Sequence, residues 1–195
     1  MKLGIIGGNS KESVDRVKKL GLEFIECDVN VGSDVDAFVE DSKLVIPYAK
    51  EQGIAFGAVG RWGAFRLDKN GIVEEELAND IKLIKAAAIL EAPVYITGCN
   101  YIEELSFYQN CTYAIEYFER LIEEGKKVGV KVCTYNCRWE NFVYDDRAWE
   151  VIHNHLPELG IKYDPSHCVY AGGNYIEEMD KWGDRFYHYH INTFG

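Results

Sequence analysis

The residues best suited to chemistry lie close together near the end of the chain: Asp164 and His167 in "KYDPSHC", then His188 and His190 in "YHYHIN". Neutral imidazole nitrogens and a carboxylate oxygen are good ligands for Mn²⁺, Zn²⁺, Co²⁺ or Fe²⁺. A D-x-x-H segment beside an H-x-H segment gathers both kinds in a small volume if the two are neighbouring strands. Any one of these histidines would serve equally well as a core side chain bonded to a carbonyl. It is the combination that argues for a shared ion. His153 and His155, in the polar stretch "VIHNHLPE", read as solvated surface groups.

Holding such side chains together requires strands that end side by side. "KLGIIG", "LEFIECDV", "IAFGAVG", "PVYITGC", "VKVCTYN", "IKYDPS" and "RFYHYHIN" read as seven strands, separated by segments of helical period. In the first helical segment Ser10 serves as cap, Val14, Val17 and Leu20 share a face, and Gly21 marks the stop. "RWGAFRLDKNG", after the third strand, reads as a loop. Helices long enough for crossovers imply parallel pairing with right-handed connections. A doubly wound sheet would place G-x-G-x-x-G after the first strand, and "GIIGGNSKES" has Gly7 and Gly8 without that spacing. A (β/α)8 barrel instead gathers reactive groups at strand C-termini. Glu26, Asp28, Arg61, Trp62, Asn136, Asp164, His167, His188 and His190 all fall there. The expected fold is one α/β domain of TIM-barrel type over residues 1–195, with about seven strands.

Alternation along a strand assigns the faces. In "YHYHIN" it sends Tyr187, Tyr189 and Ile191 toward the helices and His188, His190 and Asn192 to the barrel mouth. In "IKYDPS" Tyr163 goes outward and Lys162 and Asp164 inward, with Pro165 ending the regular pairing.

Composition narrows the functional classes. A chain of 195 residues with 47% hydrophobic content can bury one substantial core. The six cysteines are scattered through strands and helices and read as buried thiols, not as a secreted disulfide framework. No segment has the length and apolarity of a membrane span, and the opening apolar run is too short for a signal peptide, so the expected location is cytoplasmic. With 21 basic against 32 acidic side chains, net −11, nucleic acid is not an expected partner. Arg61, Arg66 and Arg138 read as solvated loop groups.

At "GVKVCTYNCRWENF", "LGIKYDPSHCVYAGG" and "GDRFYHYHIN" the sequence resembles the xylose isomerase-like TIM barrels, which include sugar isomerases and epimerases and the endonuclease IV type of repair enzyme. The resemblance runs the length of the chain. It implies a divalent ion (Mn²⁺, Co²⁺, Zn²⁺ or Mg²⁺) on Asp164, His167 and His190, with His188 facing substrate. Family members often carry a metal-binding Glu after the fifth strand, where this sequence has Tyr135. "YNCRWENF" fits a variant in which the Glu comes later, so Glu140 is the implied fourth ligand. The implied activity is metal-dependent isomerisation or epimerisation of a sugar or sugar phosphate, with Glu140 and His188 in proton transfer and Glu26, Trp62, Asn136 and His188 placing hydroxyls. Phe65 could join Trp62 in an apolar wall. Lyase or glycoside-cleaving chemistry on the same barrel, or a non-catalytic scaffold subunit, are the competing expectations. The family's eighth strand usually brings another Glu, and no such strand follows here. The barrel is therefore expected to lack its last helix, strand and helix, with little or no activity and edges that allow a homo-oligomer.

Overall fold

The structure, a computed structural model, describes residues 2–192. Seven strands form one parallel sheet: β1 (Gly4–Gly7), β2 (Phe24–Asp28), β3 (Ala55–Gly60), β6 (Val94–Ile96), β7 (Lys131–Tyr135), β8 (Gly160–Tyr163) and β9 (Phe186–Tyr189), in that spatial order. Between them run α1 (Lys11–Lys19), α2 (Val35–Gln52), α3 (Glu74–Ile89), α4 (Phe107–Val128), α5 (Asp146–His155), α6 (Pro165–Tyr170) and α7 (Tyr175–Trp182). Each strand pairs with the next sheet strand in sequence, so the sheet curls as a TIM barrel does, with β1 and β9 at its two ends. Among the described residues no helix is long and apolar enough to cross a membrane. The six cysteines are free, and five are buried.

Two apolar layers follow from strand alternation. Ile25, Cys27, Phe56, Val59, Tyr95, Val132, Ile161 and Tyr163 point outward and pack under the helices. Ala58, Val94, Ile96, Cys133 and Tyr135 point inward, joined by Trp62, Cys137 and Tyr187. Ser10 caps α1 by accepting from the Ser13 amide, and Val14 and Val17 are buried as the pattern demands. Leu20 departs from the expected face: α1 ends at Lys19, and Leu20, at the C-cap, is 56% exposed.

Tyr187 also departs, and the reason is a β-bulge. Ile161 pairs with Phe186 but Lys162 pairs with His188, so β9 carries one extra residue. Tyr187 and His188 both face inward, whereas Phe186 stacks on the outer Tyr163 with ring centres 4.3 Å apart. Gly160 accommodates this, since a Cβ there would lie 2.1 Å from the Tyr187 ring and 2.7 Å from Cys133 Sγ. β3 repeats the device: Ile25 pairs with Phe56 and Glu26 with Ala58, leaving Gly57 as the extra residue against the inner Phe24 ring.

The segment expected to be a loop after β3 contains a short antiparallel hairpin, β4 (Leu67–Asp68) and β5 (Gly71–Ile72). Its arginines are not solvated. Arg66 is fully buried, its Nε 2.8 Å from Asp80 Oδ2, and Arg61 Nη1 lies 3.0 Å from Asp80 Oδ1 and 2.7 Å from Glu76 Oε2. Tyr95 donates to Asp80 Oδ1 at 2.8 Å, and Tyr117 and Thr97 donate to Oδ2. Burial alone would raise the Asp80 pKa, but the two arginines and Tyr117 outweigh it and hold the group ionised. Arg138 does stand at the surface, over the Tyr144 ring.

His153 is likewise buried, contrary to the surface reading, while its neighbour His155 is exposed. Its Nδ1 lies 3.2 Å from Leu159 O, a pure acceptor, so Nδ1 carries the hydrogen and the neutral Nε2 accepts from Thr134 Oγ1 at 3.0 Å. Burial lowers its pKa to about 3. The native state therefore binds no proton here between about pH 6.5 and 3, whereas the unfolded state does. Stability should fall with falling pH across that window, by about 1.4 kcal/mol per unit from this group, and flatten below it. Denaturant melts of the wild type and His153→Gln at several pH values measure the slope; an identical slope in both would remove His153 as its source.

Candidate metal centre

β2 and β9 bring the first cluster together. Glu26, facing inward from β2 and 2% exposed, places Oε2 2.5 Å from His188 Nε2 and 2.7 Å from His190 Nε2. These three residues are the one group of three His, Cys, Asp or Glu side chains among the described residues whose ligand atoms all lie within 4.8 Å of one another. Burial pushes the Glu26 carboxyl upward, yet the hydrogen bonds and charges of the two imidazoles prevail and lower its pKa to about 2. Its second oxygen, Oε1, is buried and has no partner among the described residues.

Asp28, two residues along the same strand face, accepts from Asn30 at 3.1 Å through Oδ2, while its Oδ1 and the Asn30 Oδ1 are also buried without partners. Burial raises the Asp28 pKa, and Glu26 adds to the effect. Three orphaned acceptors thus stand near the end of β2.

The second cluster follows β8. Asp164 caps α6, its Oδ1 accepting from the Ser166 amide and hydroxyl, and its Oδ2 accepts from Asn192 Nδ2 at 2.6 Å. His167 Nε2 is 3.8 Å from the same Oδ2. Asn136 holds Asp164 from β7 by a reciprocal pair: its Nδ2 donates to Asp164 O at 2.8 Å and its Oδ1 accepts from Asp164 N at 2.9 Å. Both ends of that amide are occupied by backbone. The Cys137 thiol faces His167, whose hydrogen bond draws its pKa down against burial.

The expected site residues are therefore distributed as follows. His188 and His190 meet Glu26; Asp164 and His167 adjoin each other; Asn136 orients Asp164. Trp62 packs on the inner Tyr135 with ring centres 5.2 Å apart, over Gly60. Phe65 stands outside that wall, 58% exposed. Glu140 sits half-buried in the loop between β7 and α5, with φ of 44°, and joins neither cluster. Its position at the end of a strand puts Glu26 at the mouth, but nothing local in the sequence marks it as a ligand beside the histidines. The available signal was the alternation of Glu26 and Asp28 in "FIECD", two carboxylates on one strand face. Lys162 is inward and buried; burial lowers its pKa while Glu26, Asp164 and Cys137 oppose that.

Comparison with known proteins agrees with the fold. In the solved structures, the chain resembles the 3-keto-D-glucoside 4-epimerase of E. coli at 18% identity, with a TM-score of 0.79 over 99% of this chain and 79% of that one. It resembles the D-psicose 3-epimerase of Clostridium cellulolyticum H10, solved with D-tagatose, at 15% identity, with a TM-score of 0.78 over 98% of this chain and 73% of that one. An AP endonuclease of family 2 from Brucella melitensis matches at 14% identity, with a TM-score of 0.73 over 98% and 79%. At these identities the likeness is one of fold. No curated protein sequence matches the chain. The model of the xylose isomerase-like TIM barrels matches residues 14–194, and the chain belongs to that family.

Proposed function

We propose that the protein is a divalent-metal-dependent isomerase or epimerase of a sugar or sugar phosphate, acting by proton transfer beside a carbonyl. One observation carries the reading: a buried carboxylate bonded to two imidazoles through one oxygen, with its other oxygen left without a donor. Hydrogen-bonding capacity is rarely left unfilled in a protein interior. The Glu/His/His donor set fits Mn²⁺, Co²⁺ or Zn²⁺, so Glu26, His188 and His190 would hold the ion. Such an ion polarises a carbonyl and acidifies the adjoining C–H.

The chain's own groups do the rest. His167 Nε2 takes the proton, and Asp164 Oδ2, 3.8 Å away, stabilises the resulting imidazolium. Asn136 fixes Asp164 for that task through its backbone. Trp62 and Tyr135 offer an apolar wall to a sugar ring, while the free acceptors of Asp28 and Asn30 match its hydroxyls. The net charge of −11 favours such a small substrate over nucleic acid. The names of the epimerase neighbours support the substrate class.

Two measurements test the reading together. Calorimetric titration with Mn²⁺ should give about one ion per chain. Incubation in D₂O with D-psicose, D-tagatose and a 3-keto-D-glucoside should exchange one carbon-bound hydrogen in at least one of them. Absence of both metal binding and exchange would sink the proposal.

A further inference from the structure

Lys162 lies on β8 in register with Tyr135 on one side and His188 on the other, and its neighbours Ile161 and Tyr163 face the outer core. Its side chain therefore points into the barrel beside the Glu26–His188–His190 cluster. It is only 4% exposed. Lysine is almost never buried without a partner. Among the described residues, however, no ion pair or hydrogen bond engages its ammonium, although Glu26 and Asp164 stand near enough to influence it electrostatically. A donor with no protein partner thus faces the same interior as the acceptors Glu26 Oε1, Asp28 Oδ1 and Asn30 Oδ1, which are buried without partners. A ligand that completes this set offers hydroxyl hydrogens to the acceptors and an electron-rich oxygen to the lysine.

We propose that Lys162 Nζ is the hydrogen-bond donor to the substrate oxygen on which negative charge accumulates, and so a catalytic residue of the proposed reaction. The inference rests on the proton-transfer reading above. In that step the C–H bond beside the carbonyl breaks and its proton goes to the base. The bonding pair forms the C=C bond, and the carbonyl π pair moves onto oxygen. Return of a proton to carbon closes the cycle with no oxidant or reductant. A charged donor held inside the barrel stabilises that oxygen more in the transition state than in the ground state.

Oxalate, a planar dianion shaped like an enediolate, is the probe. The wild type, Lys162→Met and Lys162→Arg are each loaded with Mn²⁺ and titrated calorimetrically with oxalate. Lys162→Met should bind oxalate about 10- to 100-fold more weakly, the loss of one charge-assisted hydrogen bond. Lys162→Arg should recover part of the affinity, and Mn²⁺ affinity should stay within about threefold in all three, since lysine supplies no metal ligand. Equal oxalate affinity in the wild type and Lys162→Met overturns the role of Lys162 and leaves the metal-dependent reading intact. Mn²⁺ binding by the wild type without oxalate binding does the same. A wild type that binds no Mn²⁺ brings down the metal-dependent reading and the inference with it.

Discussion

Replacing Asp80 with alanine should cost about 3–5 kcal/mol of folding stability, the largest single loss expected from one substitution outside the mouth of the barrel. Asp80 is fully buried and accepts from Arg61, Arg66, Tyr95, Thr97 and Tyr117. Without it, Arg66 becomes a wholly buried guanidinium with no carboxylate. Its remaining bonds go to the carbonyls of Ala64 and Arg61. The melting temperature should drop by roughly 6–20 °C for a domain of this size. The penalty comes from the stranded charge more than from the lost attraction, so an Asp80→Ala/Arg66→Met pair should be more stable than Asp80→Ala alone. Chemical denaturation of the three proteins decides the matter: a single-variant loss below about 1 kcal/mol would show that water reaches the network.

Glu26→Gln should weaken Mn²⁺ binding on the order of 100-fold or more, because even the groups that merely orient ligands are worth 10- to 100-fold. The amide keeps the shape of the side chain and removes the charge that the two histidines surround. Asp164→Asn should do less, since that carboxylate already accepts from Ser166 and Asn192. The order of the two effects is the informative result. If Asp164→Asn proves the more damaging, the ion belongs with Asp164, His167 and His190, as the family resemblance implies, and Glu26 returns to the role of a sugar-positioning group.

The strand succession was legible because each apolar run is short, bounded and followed by a segment of helical period. The seven sheet strands lie where "KLGIIG" through "RFYHYHIN" indicate. Hidden from that reading were features set by partners distant in sequence. Arg61 and Arg66 read as solvated because Asp80, on the following helix, is what neutralises them. His153 sits in a polar-looking helix, and only the placement of Thr134 and the Leu159 carbonyl reveals why it is inside. His188 and His190 could be assigned to the mouth from alternation, but their contact with Glu26 depends on how the sheet curls over sequence separations of 162 and 164. Tyr187 escapes strict alternation, which has no allowance for an extra residue.

That extra residue has a consequence for how the barrel tolerates change. In β3 and again in β9 the period of two slips by one, at the level of Glu26 in one case and of Lys162 and His188 in the other. At each slip the inner face carries filler, Gly57 against Phe24 and Tyr187 against Gly160, and past the slip in β9 begin the groups with chemistry, His188 and His190. The slip works as a phase joint, allowing the plug and the reactive tier of one strand to be set independently. A one-residue deletion at Tyr187 would leave the strand length nearly unchanged. It would also remove the slip, so that Phe186 still stacks on Tyr163 and His188 and His190 still aim inward, and what is lost is the Tyr187 plug against Gly160 and Cys133.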